Sequence, residues 1–121
     1  MGLFDIFKND GAVRPTFWKP LVSEEDLSKA IHESYQHKVV IFKHSTRCFI
    51  SKSVLKSFEN EVMEDSKDAG YYFLDLLKYR PISNKIAEEL QVAHQSPQMI
   101  VIKDGKVVND ASHERITNQL I

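Results

Sequence analysis

The chain is most constrained by a continuous apolar run, from Val39 to Phe42, that leads directly into a long helical pattern. An unbroken apolar run of this kind is typical of a strand that is buried on both faces of a parallel sheet. The pattern after it predicts a helix over about 49–66, because apolar residues recur there at intervals of four. These residues are Ile50, Val54, Phe58 and Val62. A strand followed by a helix is the repeating unit of α/β proteins, so the run favours that fold class.

Strand and helix patterns alternate on both sides of this unit. Ser23 stands directly before three acidic residues, which predicts the N-terminus of a helix over about 24–35. Residues 71–74 predict a second apolar strand, and Pro81 suits the first turn of the helix that follows it. Residues 16–18 can add a short edge strand. The alternation predicts an α/β domain whose core sheet is parallel.

The C-terminal third of the chain departs from this alternation. Asp104-Gly105 separates two apolar runs and is a strong signal for a two-residue hairpin turn. Such a hairpin adds an antiparallel edge and makes the central sheet mixed. Ser112 can cap a last helix that extends through Leu120. We therefore expect a mixed sheet flanked by helices, with a β-hairpin and a helix at the C-terminal end.

Length and composition predict a single cytoplasmic domain. The 121 residues are enough for one core, and we assign residues 1–14 to an N-terminal tail and residues 15–121 to the domain. The formal net charge of −1 gives no electrostatic case for a nucleic-acid partner. No apolar stretch approaches the roughly 18 residues of a membrane span, and the first residues lack the pattern of a secretory signal. A single cysteine, which cannot form an internal disulfide, fits a reducing cytoplasm.

Cys48 is that single cysteine, and it lies where the strand pattern gives way to the helix. Unpaired backbone N–H groups at a helix N-terminus favour the thiolate over the thiol, which makes Cys48 a candidate nucleophile. Arg47 is adjacent and can add positive charge, although it can also be a solvated loop residue. Ser51 lies one helical turn away, where its hydroxyl can donate to a thiolate or serve as a plain first-turn polar residue.

Other polar residues near the predicted thiol site keep two interpretations each. His44 can act as a base for the thiol or can be a polar residue at a strand end. Asp75 can shuttle a proton or can be a hydrogen-bonded structural carboxylate, and Arg80 can bind a substrate carboxylate or pair with an internal acid. His94 and His113 are further candidates for a groove near the thiol. The histidine spacing gives no metal-ligand signature with one cysteine, so no metal site is predicted.

The topology and the Cys-x-x-Ser placement resemble the thioredoxin-like fold, in which a cis-proline loop faces the active thiol. Ser96-Pro97 lies at the corresponding place. More narrowly, the chain is similar to the monothiol bacilliredoxin family, also called YtxJ-like proteins, from about Trp18 to the C-terminus. That family usually has proline after the active cysteine, where this chain has Phe49. The matching segments are Phe42–Thr46, Cys48 with Ile50 and Ser51, Asp75, Arg80–Ala87, His94–Gln98 and Ala111–His113.

The resemblance implies a monothiol thiol–disulfide oxidoreductase that removes bacillithiol, a low-molecular-weight thiol, from protein mixed disulfides. It implies no tightly bound cofactor; bacillithiol is the co-substrate and bacillithiol-modified client proteins are the partners. Because no second cysteine exists, another bacillithiol molecule or a reductase must release the adduct from the protein. The implied catalytic residues are Cys48 and Ser51, and the implied substrate-binding residues are Arg47, Phe49, Ser96 and Pro97.

Three other classes of function compete with this one. An iron–sulfur carrier would use Cys48 and a small thiol to hold a cluster between two protomers. A non-catalytic thioredoxin-like binding module would dock a partner on the Pro97 groove and would not need the thiol. A cysteine hydrolase is disfavoured, because the sequence pairs no histidine and orienting residue with Cys48.

Overall fold

The computed structural model describes residues 14–121, so nearly all of the predicted N-terminal tail lies outside the described residues. Five strands and three α-helices alternate over most of this length, and two one-turn 3₁₀ helices follow them. The elements are β1 (Trp18–Pro20), α1 (Glu24–Glu33), β2 (Lys38–His44), α2 (Phe49–Glu64), β3 (Ala69–Asp75), α3 (Arg80–Leu90), β4 (Gln98–Lys103) and β5 (Lys106–Ser112).

The strands form one mixed sheet in the order β1-β3-β2-β4-β5. Strand β3 is parallel to both β1 and β2, whereas β4 is antiparallel to β2 and β5. The central strand is β2, in which Phe42 pairs with Phe73 of β3 and with Met99 of β4. A mixed sheet with flanking helices and an antiparallel C-terminal hairpin confirms the predicted fold class.

The sheet separates two hydrophobic cores. On one face, Phe42 packs with Trp18 of β1 and Phe58 of α2. On the other face, Ile41 belongs to a cluster with Leu27 of α1 and Ile86 of α3. Successive residues of a strand point to opposite faces, so every residue of β2 from Val39 onward is buried and the strand supplies both cores. At its end the same alternation places two polar residues, Lys43 and His44, on opposite faces.

Two local signals, the Ser23 cap and the Asp104-Gly105 turn, lie where the sequence predicts them, whereas the edge strand covers Trp18–Pro20 rather than residues 16–18. The Ser23 hydroxyl accepts a hydrogen bond from the Asp26 N–H at 3.1 Å and caps α1. In the hairpin, Asp104 and Gly105 both have positive φ angles, 52° and 76°, as a two-residue turn of this type requires. Among the helices of residues 14–121, none combines the length and apolar character needed to cross a membrane.

The C-terminal segment differs in detail from the predicted helix. It forms two 3₁₀ helices, His113–Arg115 and Asn118–Leu120, separated by Ile116 and Thr117, which are both extended. The Thr117 hydroxyl donates to the Glu61 carboxylate at 3.0 Å, and the Asn118 amide donates to the Asp65 carbonyl at 2.7 Å. These contacts with the end of α2 outweigh the weak local preference for a continuous helix.

Candidate active site around Cys48

Cys48 lies in the connection between the central strand and α2. Its backbone N–H donates to the Ser45 carbonyl at 3.1 Å, and its own carbonyl accepts from the Lys52 N–H at 3.1 Å. The residue therefore occupies the N-cap position of a 16-residue helix, with an extended backbone and no capping hydrogen bond from its side chain. The thiol is free and the residue is only partly buried. This combination places a free thiol on a partly exposed residue at the positive end of the helix.

Ser51 connects the loop that carries Cys48 to the strand before it. The residue is fully buried, and its hydroxyl accepts the Ser45 N–H at 3.0 Å. The same oxygen lies 2.8 Å from Nδ1 of His44, which is also fully buried. When that nitrogen is unprotonated, the hydroxyl donates to it. The predicted contact of Ser51 with the sulfur therefore competes with its bond to His44.

Pro97 and Cys48 lie at the same end of the sheet, where β2 ends and β4 begins. The Ser96–Pro97 peptide bond is cis, and Pro97 is buried directly before β4. Because β4 runs antiparallel to β2, the start of β4 is adjacent to the end of β2, and Gln98 pairs with Lys43. The cis-proline loop thus stands on one side of the strand that delivers the thiol, as the resemblance implies.

Two buried side chains hold the cis-proline loop. Gln98, at 1% exposure, donates to the Ala93 carbonyl at 3.0 Å. Lys43, at 0% exposure, donates to the Ser83 carbonyl at 3.1 Å and lies 3.4 Å from Nδ1 of His94. Cross-strand neighbours on one sheet face therefore reach both α3 and the loop that leads to Pro97.

Burial determines the charge state of this support. It lowers the pKa of Lys43 to about 8, and the positive charge of Arg80 lowers it further in the same direction. Burial also lowers the pKa of His94, with additional contributions from Lys43 and Arg80. In a neutral His94, an unprotonated Nδ1 can accept a hydrogen bond from the Lys43 ammonium group. Sequence reasoning missed Lys43; the available signal was a lysine inside an otherwise apolar strand that is predicted to be buried on both faces.

The connection between β3 and α3 forms the other side of the site. Oδ1 of Asp75 accepts the backbone N–H groups of Leu77 and Lys78 at 3.2 and 3.3 Å. Asp75 is 8% exposed and stabilises this turn, which is the structural interpretation of that carboxylate. Between this turn and the Cys48 loop lies a groove of about 500 Å³.

The other predicted substrate contacts are placed around the thiol to different extents. Phe49 is the first residue of α2, next to Cys48, and is 84% exposed. Arg47 is exposed in the loop before the thiol. The Ser96 hydroxyl is buried beside Pro97 and has no hydrogen-bond partner within residues 14–121.

His113, Arg80 and Trp18 differ in how they contact the rest of the fold. His113 donates its backbone N–H to the Pro97 carbonyl at 3.1 Å, which joins the end of the hairpin to the loop. Arg80 is the exposed first residue of α3. Trp18 is buried and donates to the Glu59 carboxylate at 2.7 Å, so it is a packing residue. Across residues 14–121 no cluster of three or more His, Cys, Asp or Glu side chains is arranged to hold a metal ion.

Known proteins share both the sequence pattern and the fold. A family model described as monothiol bacilliredoxin BrxC matches residues 19–121. A solved protein described as a proposed oxidoreductase with a thioredoxin fold has a TM-score of 0.75 and 28% identity, covering 86% of this chain and 89% of that chain. Thioredoxin NaTrxh from Nicotiana alata has a TM-score of 0.66 and 17% identity, covering 84% and 85%. Mitochondrial thioredoxin 3 from Saccharomyces cerevisiae has a TM-score of 0.63 and 19% identity, covering 81% of this chain and 85% of that chain. The thioredoxin-like fold is confirmed.

Proposed function

Since this chain belongs to the monothiol bacilliredoxin family and is a thiol–disulfide oxidoreductase, we propose that it removes bacillithiol from mixed disulfides of client proteins. The observation that carries the proposal is the partly exposed Cys48 thiol at the N-terminus of α2, at the same sheet edge as cis-Pro97. In this proposal the domain of residues 15–121 holds the whole site, residues 1–14 are a tail, and the reaction takes place in the cytoplasm.

The proposed reaction is one exchange of disulfide partners. The Cys48 thiolate attacks the bacillithiol sulfur of the mixed disulfide, so a new S–S bond forms as the old one breaks. The client cysteine leaves as a thiolate and takes up a proton, and the number of disulfides is unchanged. Because Cys48 is the only cysteine, the thiolate of a second bacillithiol or of a reductase must attack the adduct to restore it.

Thiolate formation is assigned to the helix terminus and to Ser51. The free N–H groups of the first turn of α2 favour negative charge on the sulfur. In this proposal, a proton on Nδ1 of His44 makes that nitrogen a donor to Ser51, because the two lie 2.8 Å apart. The Ser51 hydroxyl hydrogen is then available to the Cys48 thiolate. His44 is therefore proposed to act through Ser51 as a positioning residue.

Substrate contacts are proposed on both sides of the thiol. Phe49 offers an exposed aromatic surface to the client beside the sulfur. The cis-proline loop at Ser96 and Pro97 contacts the extended backbone around the client cysteine. Arg47 contacts the small thiol from the loop before Cys48.

Intact mass spectrometry tests this function directly. The protein is incubated with a model client that carries bacillithiol on its one cysteine. We expect the wild type to gain the mass of one bacillithiol at Cys48 while the client loses it, and Cys48→Ala to gain nothing. A wild type that stays unmodified while the client stays capped would contradict the proposal.

Client binding and visible absorbance of the same two proteins distinguish the oxidoreductase from the competing classes of function. If the protein is a binding module, Cys48→Ala should bind the client as tightly as the wild type, and neither protein should remove the cap. If the proposed exchange is correct, the wild type removes the cap and Cys48→Ala does not. An iron–sulfur carrier predicts visible absorbance after anaerobic purification that disappears in Cys48→Ala. Colourless protein that transfers the cap supports the oxidoreductase.

A further inference from the structure

A groove lies directly beside the loop that carries Cys48. Its volume of about 500 Å³ lies within the range of small-molecule sites. The β2–α2 loop forms one wall and the β3–α3 turn forms the other. Because β3 and β4 flank β2 on opposite sides, the groove and Pro97 lie on opposite sides of the thiol. The lining residues are Thr46, Arg47, Asp75, Leu77 and Lys78.

The groove presents positive charge. Arg47 and Lys78 are both exposed, and neither forms an ion pair with a carboxylate in the part of the chain from 14 to 121. Nζ of Lys78 lies 5.6 Å from the centre of the Tyr79 ring, a contact that favours an ordered ammonium group at the rim. The one acidic side chain, Asp75, already accepts two backbone hydrogen bonds of the turn. Two cations therefore remain available to an anionic ligand.

We propose that this groove binds an anionic part of the small thiol whose sulfur Cys48 attacks. The inference rests on the proposed function and deepens it. Leu77, which is 39% exposed, provides an apolar contact for the body of that ligand, and the Thr46 hydroxyl provides a hydrogen-bonding group. With the small thiol in the groove and the client on the Pro97 side, the sulfur next to Cys48 belongs to the small thiol. The groove thus selects which of the two sulfurs is attacked.

Transfer kinetics with two different caps test the charge requirement. The model client is capped with bacillithiol or with 2-mercaptoethanol, a neutral small thiol, and kcat/KM is measured for each. We expect the wild type to prefer the bacillithiol cap, and Arg47→Gln and Lys78→Gln each to reduce the preference ratio by about threefold through KM. The double variant should reduce it by about tenfold, and added salt should weaken the preference of the wild type.

Lys106→Gln is the matched control. Lys106 is exposed at the start of β5, at the opposite edge of the sheet from Cys48, so its loss should leave the preference ratio unchanged. A double variant that keeps the wild-type ratio would overturn the inference. So would a ratio that falls equally in Lys106→Gln, because the effect would then be one of net charge.

Direct binding tests the groove without the reaction. Cys48→Ala protein is titrated with S-methyl bacillithiol, which cannot exchange, and backbone amide shifts are recorded by NMR. Shifts that cluster at Thr46, Arg47, Leu77 and Lys78 support the site, and shifts confined to the Pro97 loop, or none, overturn it. If the wild type transfers neither cap but the groove shifts appear, the proposed function fails and the binding site stands. If transfer proceeds but the shifts lie elsewhere, only the groove inference fails.

Discussion

The two sides of the Cys48 thiol are built in opposite ways. On the Pro97 side, Lys43 and Gln98 are buried and hydrogen-bonded to the backbone of α3 and of the loop. On the groove side, Arg47 and Lys78 are exposed, and the Asp75 carboxylate stabilises the turn that carries Lys78. This difference fits the proposal that the Pro97 side presents a fixed backbone to the client, while the groove side binds an anionic part of the small thiol through accessible cations.

The largest difference between the sides is expected for Lys43, through pH. Its pKa of about 8 in the folded protein lies below the usual 10.5, so the unfolded chain binds more protons between these values. The contribution of Lys43 to stability should therefore rise as the pH increases from about 8 to 10.5, by at most about 3 kcal/mol. Lys43→Met removes this group, so the unfolding free energy of the wild type minus that of Lys43→Met should increase over the same range in urea titrations.

The exposed lysine of the hairpin provides the control for that measurement. Lys106→Met should differ from the wild type by a constant amount across the same pH range. A constant difference for Lys43→Met as well would show that the buried amine keeps its ordinary pKa.

A somewhat smaller loss of stability is expected on the same side for Gln98→Ala. The substitution leaves the Ala93 carbonyl and the Gln95 N–H without their buried partner, which should cost about 2 kcal/mol in urea unfolding. The exposed Gln36→Ala should change stability by less than about 0.5 kcal/mol. Equal effects of the two substitutions would mean that the cis-proline loop does not depend on its internal support.

Ser51→Ala affects the centre between the two sides. It removes the partner of the Ser45 N–H and of His44 Nδ1, at a cost of about 1 kcal/mol of stability. If Ser51 also acts on the sulfur, the apparent pKa of the transfer reaction should rise and the rate at neutral pH should fall. The exposed Ser53→Ala in the same helix is the matched control. A pH–rate profile of Ser51→Ala that coincides with that of Ser53→Ala would remove Ser51 from the chemistry.

The smallest effect on stability is expected on the groove side. Lys78→Gln should change the unfolding free energy by less than about 0.5 kcal/mol, because the side chain is exposed and forms no ion pair with a carboxylate of residues 14–121. Urea unfolding of Lys78→Gln and Gln98→Ala under the same conditions compares the loss of unfolding free energy on the two sides directly. A loss as large as that of Gln98→Ala would show that both sides are structural.

Local patterns predicted most of the fold. The Ser23 cap, the Asp104-Gly105 turn and the strand that leads to Cys48 all depend on residues that are close in sequence, and the structure contains each of them. The single helix predicted after Ser112 became two 3₁₀ helices because Thr117 and Asn118 bond to the end of α2.

The site was less accessible to sequence reasoning, since its key contacts join distant residues. Lys43 and His94 are 51 positions apart, and their proximity depends on the register between β2 and β4. The bond between Ser51 and His44 likewise needs the actual angle at which α2 leaves the strand. Only the resemblance to a family pointed to cis-Pro97, because composition does not distinguish the isomers of such a bond.

The placement of Lys43 and His44 on opposite faces of β2 links catalytic competence to correct folding. If the central strand paired one position out of register, every side chain would change faces. The ammonium would then lie among aromatic rings and the imidazole among the aliphatic side chains under α1 and α3. Two polar groups without partners would destabilise such a misregistered copy severely. A wrongly paired chain is therefore disfavoured by the same two residues that support the thiol site, so a stable central strand is one in which the loop to Cys48 starts in the correct register.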